Sequence, residues 1–177
     1  AKPSLEKTQA LCAKLGVGRI ASVIGRFYSM DRDNRWDRVE QAYRLITEGL
    51  GTQSATDPVS ALEAAYARGE NDEFVQATTI AGPGESPVAI EDGDAVIFMN
   101  FRSDRARQLT RAIVEPEFDG FQRRSYVKLT DFVTLTRYAD DIDQPCAFDQ
   151  QRFSNTLGEY LSTLGKHQLR IAETEKY

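Results

Sequence analysis

Leu5, Leu11, Cys12 and Leu15 recur at near-helical spacing behind Ser4, a residue type suited to an N-cap, and the pattern stops at Gly16, so a first helix is predicted. Residues 17–24 are rich in β-branched and small side chains and bounded by glycines, which predicts a buried strand despite Arg19. Trp36, Val39, Tyr43, Ile46 and Leu50 then form a helical stripe that Asp33 or Asn34 can cap and that Gly49 and Gly51 break. Asp57-Pro58 is a cap followed by proline at the first helical position, and Val59, Leu62, Ala65 and Tyr66 supply an apolar face as far as Gly69.

Residues 70–93 hold no period and read as irregular, with Ala81-Gly82-Pro83-Gly84 as a loop and Glu91-Asp92-Gly93-Asp94 as the tight turn before the next strand. In 94–101 the consecutive Val96, Ile97, Phe98 and Met99 predict a strand buried on both faces, as in a parallel sheet. Ser103 or Asp104 can cap a helix carrying Ala106, Leu109 and Ile113, and the alternation over 126–138 predicts a further strand. An acidic, proline-terminated linker over 140–145, a helix over 154–164 closed by Gly165, and a strand from Gln168 onward complete the pattern, with no internal repeat. Alternating helices and buried strands imply a three-layer α/β domain with a largely parallel sheet flanked by helices.

Ligands of such sheets bind beyond the carboxyl ends of strands. Two segments stand at that position, Gly25-Arg26-Phe27-Tyr28-Ser29-Met30-Asp31-Arg32-Asp33 and Asn100-Phe101-Arg102-Ser103-Asp104-Arg105, each with two arginines ahead of a helical pattern. Planar guanidinium forks bind carboxylates and phosphates bidentately, and the helix start behind them adds N–H donors. Arg26, Arg32, Arg102 and Arg105 therefore point to a small anionic ligand, weighed against the plainer reading of surface charges or capping partners. Asp31 and Asp104 read as residues that orient an arginine or cap a helix rather than as a general acid and base. Arg35 and Arg38 read as solvated partners of Asp37 and Glu40 on their own helix, and Trp36 with Tyr43 as core.

With 177 residues, 41% hydrophobic and 28% charged, the chain suits one ordinary domain with a real core. A net charge of −5 excludes nucleic-acid binding by general phosphate attraction and leaves a local arginine cluster as the more specific arrangement. Cys12 and Cys146 have no metal or redox spacing and are expected to be buried, inert thiols in a reducing compartment. No 18-residue apolar stretch or signal-peptide core occurs, so a cytoplasmic protein with no membrane partner is expected. The chain lacks an initiating methionine and stops inside a strand-like run, which is expected of a piece of a longer protein. His167, the only histidine, reads as a surface residue, and the acidic run at 140–143 has no calcium-loop spacing.

Three longer stretches carry a family resemblance: Gly25-Arg26-Phe27-Tyr28-Ser29-Met30-Asp31-Arg32-Asp33-Asn34-Arg35-Trp36-Asp37-Arg38, then Asp92-Gly93-Asp94-Ala95-Val96-Ile97-Phe98-Met99-Asn100-Phe101-Arg102-Ser103-Asp104-Arg105, and Leu169-Arg170-Ile171-Ala172-Glu173-Thr174-Glu175-Lys176-Tyr177. The chain resembles the cofactor-independent (2,3-bisphosphoglycerate-independent) phosphoglycerate mutases, isomerases of glycolysis and gluconeogenesis. The resemblance implies an alkaline-phosphatase-like domain with two manganese ions and a transiently phosphorylated serine. Into that domain is inserted a second α/β domain that binds the glycerate of 3-phosphoglycerate or 2-phosphoglycerate. It implies that residues 1–148 are part of the inserted substrate-binding (phosphotransferase) domain and 149–177 a linker and return into the phosphatase-like domain. It implies substrate-binding roles for Arg26, Arg32, Arg102 and Arg105, with Ser103 and Asp104 as members of the binding loop, contact between Lys176 and the transferred phosphoryl group, and a monomer when complete.

The departures bound that expectation. One histidine cannot supply the set that holds two metals, and no serine stands in the nucleophile's context, so the chain alone is expected to be inactive and to bind neither ion. Gln76-Ala77 stands where the family carries lysine and proline, and Phe27 and Ser29 replace what are often tyrosine and alanine. The alternative, from another class, is a stand-alone, non-catalytic module for phosphorylated acids or a partner protein.

Overall fold

The computed structural model describes residues 1–124, 126–149, 153–169 and 171. In chain order the elements are α1 (Lys2–Leu15), β1 (Ser22–Val23), α2 (Arg26–Ser29), α3 (Trp36–Glu48), β2 (Gln53–Ala55), α4 (Pro58–Ala67), β3 (Thr78–Ile80), β4 (Ala95–Phe98), α5 (Arg107–Val114), β5 (Asp131–Thr136), β6 (Cys146–Phe148) and α6 (Leu157–Thr163). The fold is α/β, but its strands form two three-stranded sheets, ordered β1-β3-β2 and β4-β5-β6. The β2–β3, β4–β5 and β5–β6 pairs are parallel, and β1–β3 is antiparallel. Three short strands fall where the sequence predicts none: β2, β3 inside the supposedly irregular stretch, and β6 just past the acidic run.

Several helix ends follow the local chemistry. Gly16 and Gly49 close α1 and α3 in the left-handed conformation, at φ 68° and 62°, where glycine carries no Cβ penalty. The Asp57 carboxylate accepts the N–H groups of Val59 and Ser60, both at 3.0 Å, with Pro58 opening the helix. Those bonds, above all with Ser60, hold the Asp57 carboxyl below its ordinary range. Asp57→Ala is expected to lower the unfolding free energy by about 1 kcal/mol, read as a shift of the urea midpoint at unchanged slope.

Other starts differ from expectation. Helix α1 begins at Lys2, ahead of Ser4, and α3 and α5 follow Arg35 and Ala106 without a side-chain cap. Asn34 instead takes a positive φ of 55°, and Ser103 serves α5 through its carbonyl, which accepts the N–H groups of Ala106 at 3.0 Å and Arg107 at 3.2 Å. The terminal helix has a capping box between Thr156 and Glu159.

The main core lies between α3, α5 and β5, where Val39, Ala42, Tyr43, Leu109, Ala112, Ile113 and Phe132 pack together. Trp36 and Phe121 extend it through edge-on contacts with Phe118 and Tyr43, as core residues. Val96 and Phe98 of β4 face this core, whereas Ile97 is 67% exposed and Met99 and Phe101 are exposed beyond it, so β4 is buried on one face among the described residues. A smaller core of Leu62, Ala65 and Val75 joins α4 to Leu5 and Val23.

The stretch at 138–142 is not a free linker. Tyr138 and Ile142 pack on Ala106, and Arg111 grips Asp141 through two contacts of 2.9 Å, which depress that carboxyl. The thiols of Cys12 and Cys146 are only partly buried, and Cys146 donates to Asp149 at 3.3 Å, an interaction that raises its pKa. Gln168 and Leu169 lie outside any strand, and most of the strand expected after them falls outside the described residues.

Candidate anion-binding site

The first arginine segment begins as β1 ends. Gly25 sits against the backbone of 73–75, donating its N–H to the Val75 carbonyl at 2.7 Å, and Phe27 donates to the Glu73 carbonyl at 3.0 Å. These bonds fix the single turn of α2 that carries Arg26, whose guanidinium lies 3.3 Å from Glu73 and remains largely exposed. After Met30 the chain turns around Asp31, whose Oδ2 accepts the N–H groups of Asp33 and Arg35, both at 2.9 Å. Asp31 therefore organises the loop backbone and does not cap α3, whose start has no side-chain cap.

The second segment leaves β4 at Phe98. The buried Tyr138 hydroxyl donates to the carbonyls of Phe98 at 3.0 Å and Asn100 at 2.7 Å, and Arg107 Nε donates to the Tyr138 carbonyl at 2.5 Å. Burial pushes the Tyr138 pKa up, so its hydroxyl stays a donor. Ser103 and Asp104 lie in the bend before α5, and Ser103 Oγ is 3.5 Å from Arg107 Nη2.

Two contacts cross between the segments. Arg32 Nη1 donates to Asp104 Oδ2 at 3.1 Å, and Arg105 Nη1 donates to the Met30 carbonyl at 3.0 Å. Arg32 thus meets Asp104, 72 positions further along, and Arg105 meets Met30, 75 positions back. The Arg102 side chain is exposed and makes no hydrogen bond or ion pair with any described residue. A fork aimed into solvent beside two anchored arginines can close on an oxyanion at little rearrangement cost. Lys176 lies outside the described residues.

Partners that the sequence does not disclose complete the arrangement. Glu73 faces Arg26, and Tyr138 braces the second loop. Arg38 is not a solvated helix partner: its guanidinium lies 3.6 Å from the buried Asp31 and stacks 3.8 Å over the Phe27 ring. Arg35 pairs with neither Asp37 nor Glu40. His167 is exposed, as expected.

A cavity of about 230 Å³ opens beside the crossing, lined by Arg32, Asn34, Trp36, Asp104, Arg107 and Arg111 among others. A larger cavity, about 550 Å³, lies between the end of α1 and the start of α4. Its charges are already engaged, Arg19 with Glu85 and Asp57 with the α4 N-terminus, so it offers no free oxyanion receptor. Among the described residues no three His, Cys, Asp or Glu side chains converge as a group that could hold a metal.

Fold and site together define a class: an α/β domain with arginines gathered beyond its strand ends. The comparisons make this specific. A family model described as BPG-independent PGAM N-terminus matches residues 1–140, and the chain belongs to that family. It is 59% identical over its whole length to the 2,3-bisphosphoglycerate-independent phosphoglycerate mutase of Hahella chejuensis, covering 34% of that protein. It is 60% identical to those of Cronobacter sakazakii and Pseudomonas aeruginosa, with the same coverage of 100% and 34%. The chain thus spans about a third of the length of these relatives. A crystal structure of Leishmania mexicana phosphoglycerate mutase at low cobalt concentration superposes with a TM-score of 0.78 at 28% identity, covering 93% of this chain and 31% of that one.

Proposed function

We propose that this chain is the substrate-holding part of a 2,3-bisphosphoglycerate-independent phosphoglycerate mutase. The complete protein would interconvert 3-phosphoglycerate and 2-phosphoglycerate in glycolysis and gluconeogenesis. The observation that carries the reading is the meeting of the two arginine segments, through Arg32 with Asp104 and Arg105 with Met30, beside an Arg102 that is unpaired among the described residues.

Phosphoglycerate carries a carboxylate and a phosphate, about −3 in total near neutral pH. Replacing its hydration needs several charge-assisted forks, and fixing which hydroxyl meets the phosphoryl group needs those forks held rigidly. Arg26, Arg32, Arg102 and Arg105 supply the forks in this reading. Ser103 and Asp104 shape the second loop, and Asp104 keeps Arg32 oriented before the substrate arrives.

The remaining chemistry belongs to residues beyond this set. A phosphatase-like domain of the same polypeptide would provide the serine that is transiently phosphorylated and the two manganese ions. Residues 149–177 would lead into that domain and deliver Lys176 to the migrating phosphoryl group, where a compact positive charge offsets negative charge on the equatorial oxygens. The complete protein would act as a monomer in the cytoplasm; no helix among the described residues is long and apolar enough to cross a membrane. The names of relatives three times as long weigh against a stand-alone binding module.

The test is calorimetric titration of 3-phosphoglycerate into the complete polypeptide and into this chain, with an Arg26→Ala/Arg102→Ala variant of each. Saturable binding to the complete polypeptide that weakens with salt and is lost in the variant is the expected result. Unchanged affinity in the variant overturns the assignment of the arginines.

A further inference from the structure

Asp31 is the most deeply buried acidic residue of the arginine segments, at 5% exposure, and its contacts reach further than a loop turn requires. Its Oδ2 accepts the Asp33 and Arg35 N–H groups and lies 2.9 Å from the side-chain amide of Gln108 on α5, which also approaches the Asp31 carbonyl at 3.2 Å and, on its other side, Asn34 Oδ1 at 3.2 Å. The amide is assigned from its neighbours: with the nitrogen turned to Asp31, the Asp31 Oδ2 and carbonyl oxygens both accept from it, and the Gln108 oxygen faces the N–H groups of Asn34 at 2.8 Å and Asp33 at 3.1 Å together with the Asn34 side-chain amide at 3.2 Å. Gln108 is itself 6% exposed. On its other side, Asp31 Oδ1 is 3.6 Å from Arg38, whose guanidinium covers Phe27, the neighbour of Arg26.

One carboxylate is therefore linked, directly or through one or two intervening side chains, to every structural unit that carries an arginine of the site. Through Arg38 and Phe27 it reaches α2 and Arg26, and through the peptide bond it adjoins Arg32. Through Gln108 it reaches α5, which opens directly behind Arg102 and Arg105. A buried carboxylate is costly unless each oxygen is paired, and here the pairing is shared between two segments far apart in the chain. The joint can form only in one relative placement of the two loops.

We propose that Asp31, clasped to Gln108, is a positioning residue that sets the relative placement of the two arginine loops and thereby how tightly the anionic substrate is held. The proposal rests on the reading of those arginines as the substrate clamp. Neither residue touches the ligand in this account. Loosening the joint leaves all four guanidinium groups present but misaligned. An interaction made equally with substrate and transition state then weakens, so KM rises with little change in kcat.

The experiment uses the complete mutase polypeptide, with steady-state kinetics on 3-phosphoglycerate and thermal unfolding for Gln108→Leu, Asp31→Ala, their double variant, Asp31→Asn and Arg102→Ala. Gln108→Leu and Asp31→Ala are each expected to raise KM about tenfold with kcat within about threefold. The double variant should be no worse than Asp31→Ala alone, because both act through one joint. Asp31→Asn keeps an acceptor for the loop N–H groups and Gln108 and should recover most of the loss. If Asp31→Ala does not accumulate as folded protein, Gln108→Leu reads the same effect from the α5 side.

Wild-type KM in Gln108→Leu beside a raised KM in Arg102→Ala overturns the joint and leaves the clamp standing. Wild-type KM in Arg102→Ala overturns the clamp and the proposal with it. Additive effects in the double variant, or a fall in kcat that follows the loss of thermal stability at unchanged KM, also overturn the positioning role.

Discussion

Replacing Arg102 by lysine in the complete polypeptide is expected to lower kcat/KM for 3-phosphoglycerate by about 10- to 150-fold while the unfolding temperature stays unchanged. The first half of that expectation follows from losing one bidentate, charge-assisted contact, worth about 1.5–3 kcal/mol, with a factor of ten for each ~1.4 kcal/mol. Lysine keeps the charge but presents a point rather than a planar fork, so it cannot hold two oxygens of one carboxylate or phosphate in a fixed orientation. The second half follows from the structure. The Arg102 side chain is exposed and unpaired among the described residues, so folding does not use it. Arg32 and Arg105 make a poorer test, because each also ties the two loops together and its loss mixes binding with folding. Wild-type kinetics in Arg102→Lys would remove Arg102 from the site.

Gly25→Ala is expected to destabilise the domain by about 2–3 kcal/mol or more, near the upper end of overpacking costs, and to weaken substrate binding at the same time. A Cβ at this position would stand 2.2 Å from the Glu73 carbonyl oxygen and 2.7 Å from the Val75 nitrogen. Both are backbone atoms, so no rotamer change relieves the clash. The φ of Gly25 is −74°, open to any residue, and the constraint is space alone. To make room, β1 and the 73–75 backbone must part, which strains the Gly25 to Val75 and Phe27 to Glu73 hydrogen bonds and displaces the turn carrying Arg26. Denaturant unfolding and titration of 3-phosphoglycerate, on one preparation, check both effects. Unchanged stability would mean that the 73–75 segment yields freely, and Arg26 would then lose its claim to a rigid support.

The arginines themselves are legible in the sequence, because residue type and position after an apolar run are local properties of the chain. The same holds for Asp57-Pro58, Gly16 and Gly49, where a cap or a left-handed turn is decided by neighbours within one helical turn. Strands β2 and β3 were not legible. Gln53–Ala55 and Thr78–Ile80 are too short to show alternation, and β3 is a strand because β1 and β2 pair with it on either side. The predicted strand over 17–24 shrinks to Ser22–Val23 for the same reason, since only those two positions form ladder pairs with β3.

Arg38 shows the limit most plainly. Its spacing from Asp37 and Glu40 describes a solvated helix face, yet the turn at 31–35 brings Asp31 and Phe27 beneath it, and a buried partner outweighs an exposed one. The sequence by itself determined which groups could bind an oxyanion, the α/β class, and the near-terminal chemistry of several helices. Only the tertiary structure decided that Arg32 meets Asp104, that Arg105 reaches Met30, and that Gln108 closes on Asp31. Those contacts join positions 72 to 77 apart, and their existence depends on how β1, β4 and α5 pack rather than on any pattern along the chain.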